Sequence, residues 1–106
     1  MPAPTDDYRE AVASSEGLKQ GAIAEAERRF RAAVDALIAA RPRASGTAEM
    51  ERIADAERTA VTWLQVARDE AIHAAERAHY VRLAAAGEEH GIVNGATAAA
   101  RRREGP

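Results

Sequence analysis

Cysteine is absent, so neither a disulfide framework nor a thiolate metal site is open to this chain. Aromatic residues are nearly absent: Tyr8, Phe30, Trp63 and Tyr80 are all there are. No apolar run approaches the roughly 20 residues that cross a bilayer as a helix, so no membrane role is expected. β-branched runs are missing, as are the Asn-Gly and Asp-Gly pairs that close hairpins, which removes the usual strand signals. Lysine appears once, at Lys19, against fourteen arginines, a bias that points to GC-rich coding and not to a function. Residues 1–7 are acidic and carry two prolines, unlike a signal peptide, and the expected location is cytoplasmic.

Alanine is what the chain has instead, 28 residues of 106. It is the strongest helix former, and with strand signals missing the expected class is all-α. The expected architecture is one domain: a long antiparallel helical hairpin followed by a short C-terminal helix. An alanine core is thin for so short a chain, so association with a second copy or a protein partner is expected to add burial.

The punctuation predicts the elements. Thr5, with Asp6 and Asp7 after it, reads as an N-cap with acids in the first turn. Gly17 and Gly21 each cost a helix about 1 kcal/mol relative to alanine, so residues 1–21 read as a weak helix broken near Gly21. A sharper stripe follows over 22–41, with Ile23, Ala26, Phe30, Val34, Leu37 and Ile38 at helical spacing. Pro42 disfavours helix at the residue before it, and 42–46 read as a loop. Thr47 reads as the cap of a long helix over 47–86, which meets no glycine or proline until Gly87. A short basic helix is expected over 91–103.

The long helix carries two rows at seven-residue spacing. One is Ile53, Ala60, Ala67, Ala74 and Val81; the other runs through Glu57, Leu64, Ala71, Ala78 and Ala85. Small side chains along both rows predict close helix approach, and the heptad spacing predicts a left-handed antiparallel pairing with the first helix or a second copy. The packing or dimer seam expected from this pattern is Ile53, Ala60, Leu64, Ala67, Ala71, Ala74, Ala78 and Val81. Trp63, beside Leu64, reads as a core or interface anchor.

Few residues offer chemistry. Glu70 and His73 make a Glu-x-x-His pair, the spacing by which ferritin-like proteins present a carboxylate and an imidazole to two irons. The first helix adds only Glu25, Glu27 and Asp35, and Glu25 and Glu27 are better matched to arginines four residues on. A solvated helix face explains Glu70 and His73 as well, and no resident metal or other cofactor is expected. Ser14, Ser15 and Ser45 fall at a glycine-bearing break and a loop, and Gly87, Gly91 and Gly95 follow no strand. The sequence therefore offers neither a serine nucleophile with its base nor a phosphate loop, and an enzyme is not expected.

Charge is uneven. Residues 45–90 hold nine acids against five bases, whereas 91–106 hold three arginines against one acid. The segment Ile53-Ala54-Asp55-Ala56-Glu57-Arg58-Thr59-Ala60, with Leu64 and then Ala67-Arg68-Asp69-Glu70-Ala71-Ile72, resembles small actinobacterial proteins in which a long helix leads into a helix-turn-helix. That module is similar to region four of sigma factors, and the resemblance covers residues 50–103. It implies a first helix over Val81-Arg82-Leu83-Ala84-Ala85-Ala86, a turn at Gly87 and a recognition helix after it. The implied partner is duplex DNA, with His90, Asn94 and Thr97 facing bases and Arg101, Arg102 and Arg103 on phosphates. Three functions remain open on sequence: a DNA-binding regulator, a helical interaction module that oligomerises, and a two-helix metal protein.

Overall fold

A computed structural model describes residues 4–89 and 91. It is an all-α hairpin of two helices, α1 (Pro4–Ala39) and α2 (Thr47–Glu89). Contacts gather in two compact units: residues 4–20 of α1 with 76–89 of α2, and Gly21–Ala75, which includes the connection between the helices.

α1 begins at Pro4, where proline's missing N–H costs nothing because first-turn donors have no helical acceptor. It passes through Gly17 and Gly21 without interruption, so the break expected near Gly21 does not occur. The glycine cost is local, about 1 kcal/mol each, and neighbouring alanines and paired charges carry the helix across. Glu25 is one such group, bound by Arg28 Nη2 at 2.6 Å and Arg29 Nε at 3.0 Å.

The connection is tied down by polar contacts. Arg41 N–H donates to Ile38 O as α1 unwinds ahead of Pro42. Gly46 O accepts the first bond of α2 from Met50 N at 3.0 Å, which makes Gly46 the N-cap in place of Thr47. Glu49 reaches back to accept from both the backbone N–H and the hydroxyl of Ser45. At the far end α2 runs through Gly87 to Glu89, and the left-handed conformation lies at Gly91, with φ +73°. The turn implied at Gly87 therefore does not occur there, and Gly91 has the left-handed conformation in which helices commonly stop.

The buried apolar side chains are all alanines, Ala26, Ala75 and Ala86, and among the described residues no side chain is fully buried. The inward positions recur every eleven residues. On α2 they run Ile53, Leu64, Ala75, Ala86 and, beside these, Glu57, Arg68, His79; on α1 they include Ser15, Ala26, Leu37 and Val12, Ile23, Val34. Eleven residues in three turns is about 3.67 per turn, close to an unstrained helix, whereas a strict heptad drifts about 20° per repeat. The expected seam follows the packing only from Ile53 to Leu64. Beyond that, Ala67, Ala71, Ala74, Ala78 and Val81 are exposed, and the inward places fall to Arg68, Ile72, Ala75, His79 and Arg82.

Candidate functional site

In an alanine-rich hairpin the polar side chains between the helices stand out. Every eleventh residue of one inward row of α2 is polar, and each meets a partner from α1 or from the connection. Glu57 holds Arg41 in a two-pronged pair, Nε to Oε1 at 2.6 Å and Nη2 to Oε2 at 2.8 Å. The Arg41 hydrogen bond keeps the Glu57 carboxyl below its ordinary value. Arg68 lies over Phe30, its guanidinium carbon 4.5 Å from the ring centroid, inside the range of cation–π attraction. These two contacts belong to the unit formed by Gly21–Ala75.

The third polar residue, His79, lies in the other unit and joins the densest side-chain network there. Ser15 Oγ is 2.8 Å from His79 Nδ1, and His79 Nε2 is 3.2 Å from Glu16 Oε2. Arg82 Nε donates to Ser15 Oγ at 2.8 Å, and its Nη2 donates to Ser15 O at 3.2 Å. Arginine only donates, so the serine oxygen accepts from it and has its one hydrogen free for Nδ1. That assignment leaves the ring proton on Nε2, directed at Glu16. Glu16 also accepts from Gln20 at 3.0 Å and pairs with Lys19 at 3.0 Å, contacts that together hold its carboxyl below the ordinary value.

Serine, histidine and glutamate in contact invite a comparison with nucleophilic catalysis, but the geometry is that of a latch. Ser15 is 3% exposed, its oxygen already accepts from a guanidinium, and it lies between two helices. A nucleophile needs an oxygen that a substrate can reach and a base that takes up the hydroxyl proton as that oxygen attacks. The network fixes which turn of α1 meets which turn of α2. Sequence reading passed over it because Ser15 and His79 are 64 positions apart. The available signal was the eleven-residue spacing of Glu57, Arg68 and His79.

The other expected site residues are dispersed. Glu70 and His73 lie exposed on α2, and among the described residues no group of three or more His, Cys, Asp or Glu is placed to hold a metal ion. His90, Asn94, Thr97, Arg101, Arg102 and Arg103 lie outside the described residues.

A different surface is open. In the Gly21–Ala75 unit a shallow apolar groove of about 550 Å³ runs between Ala33, Ala36 and Leu37 of α1 and Ala60, Trp63 and Leu64 of α2. Trp63, expected as an anchor, stands at its edge 69% exposed. Among the described residues no helix is long and apolar enough to cross a membrane. No family model, curated protein or solved structure matches this chain.

Proposed function

We propose that this protein is a helical interaction module that works by associating with itself through apolar surface on its hairpin. The observation that carries the reading is the inversion of burial: alanines occupy the interior, while Trp63, Tyr80, Val81, Leu18 and Met50 are each at least 60% exposed. A large apolar side chain beside an open apolar groove, as Trp63 is, favours association, because it leaves water when a partner covers it. An aromatic anchor beside a groove is also the usual location of binding energy. Sedimentation of the full chain over a wide concentration range tests this. The expected result is a mass that rises above the 11.3 kDa of one chain as concentration increases. A mass of one chain throughout removes the reading.

A second reading rests on Arg101, Arg102 and Arg103. Three consecutive arginines suit phosphate contacts, which fix register on a duplex. On this reading the module delivers a basic segment to duplex DNA, with His90, Asn94 and Thr97 toward the bases. A gel-shift series in rising salt tests it: affinity should fall with salt, and replacing the three arginines by alanine should abolish binding at low salt. Absence of any shift at low salt excludes it.

A further inference from the structure

Along the outer side of α2, within the Gly21–Ala75 unit, six residues share one exposed stripe: Arg52, Ala56, Thr59, Trp63, Val66 and Glu70. Their spacing alternates four and three, the seven-residue repeat of a two-helix seam, and the stripe spans about 27 Å. The inward rows of the same helix follow the eleven-residue repeat, so α2 carries one period for its own hairpin and another on its outer face. The middle of the stripe is apolar. Trp63 and Val66 are 69% and 41% exposed. The Thr59 hydroxyl donates to Asp55 O at 3.0 Å, so its polar atom has a partner within the helix. The two ends carry opposite charges, Arg52 and Glu70.

We infer that this stripe is the seat of a second copy of the chain, paired antiparallel, α2 against α2, about a two-fold axis near residue 61. The inference rests on the self-association proposed above and adds its face, direction and register. In a two-fold pair, if residue i meets j then j meets i. Centring the axis at 61 sets Arg52 against the second copy's Glu70, Ala56 against its Val66 and Thr59 against its Trp63, with each pairing made twice. Every layer then joins unlike partners: cation with anion, small with branched, methyl with indole. A parallel pairing in register sets Arg52 on Arg52 and Glu70 on Glu70, which repel. Sliding an antiparallel pair by one heptad sets Glu70 opposite Ser45 in one direction or Thr59 in the other, and the charge match is lost.

The flanks agree with this arrangement. Ala60, half-buried, and Ala67, exposed, border the stripe on the side of the groove, and their small side chains let two α2 helices approach closely. Trp63 of each copy comes over the second copy's Ala60, at the edge of the groove lined by Leu37 and Leu64. On the opposite flank Asp55 and Asp69 of different copies approach one another. Each is already paired within its own chain, Asp55 with Arg58 and Asp69 with Arg68, which offsets their repulsion.

Charge reversal tests register and partner together. Full-length wild type, Arg52→Glu, Glu70→Arg, the double reversal and Trp63→Ala are compared by sedimentation equilibrium, with circular dichroism confirming equal helicity. Each single reversal should weaken the wild-type dimer by about tenfold or more, because it acts at two symmetric places, and the double reversal should restore it. Trp63→Ala should weaken it by roughly thirtyfold or more. A wild type that dimerises, with the variants unchanged or the double reversal failing to rescue, overturns this face while leaving self-association standing. A wild type of single-chain mass at every concentration overturns both.

Discussion

At Ser15 one hydroxyl accepts from Arg82 and faces His79, in a hairpin whose buried apolar side chains are alanines. Alanine packs with little specificity, because a helix that slides one turn finds another methyl, whereas a buried hydrogen-bond network satisfies only one alignment. Ser15→Ala leaves Arg82 Nε and His79 Nδ1 without this partner, and should lower the unfolding free energy by about 1–3 kcal/mol in urea titrations. The exposed neighbour Ser14→Ala should change it by no more than about 0.5 kcal/mol. Gly21 offers the opposite change. It lies mid-helix, and a methyl added there meets nothing within 4 Å. Gly21→Ala should therefore stabilise the chain by about 0.8–1 kcal/mol in the same assay. Gly91, at φ +73°, should resist substitution, since an L side chain is strained in that conformation.

At the scale of elements, the carboxylates that tie turns together make stability depend on pH. Glu57 is held below its ordinary value of 4.5 by the Arg41 hydrogen bond, Glu16 by Gln20 and Lys19, and Glu49 by the Ser45 hydroxyl. A carboxyl lowered in the folded state contributes its stability above the unfolded value, and loses it as pH falls through the folded one. The midpoint of thermal unfolding should thus be flat near neutrality and fall below about pH 4.5. Glu57→Gln should start lower at pH 7 and fall less on acidification. Much of this element structure was legible in the sequence: Pro42 marks the stop of α1, 42–46 mark the connection, and alanine content marks the class. What misled was period and position. Small residues at seven-residue spacing predict a heptad seam, yet the polar Glu57, Arg68 and His79 at eleven-residue spacing follow the packed face. Gly87 resembles a stop, but a helix tolerates one glycine, and α2 ends only before Gly91. The Ser15 network was illegible because it joins residues that only the folded hairpin brings together.

For the whole molecule, two ends of one problem meet. Among the described residues the buried apolar side chains are alanines, while the large Trp63 and Tyr80 lie on the outside. On the proposed reading, both follow from a helix that uses one face for its own hairpin and offers another to a second copy. Association and function are then inseparable: a variant that folds but stays single should keep its helicity and lose whatever the paired form does. Trp63 is the chain's one tryptophan and stands on the proposed interface, so its fluorescence reads the central claim directly. Emission should shift to shorter wavelength as concentration rises and the indole leaves water, with a midpoint matching the rise in mass. An emission maximum typical of water-exposed tryptophan at every concentration, unchanged while mass stays that of one chain, contradicts it.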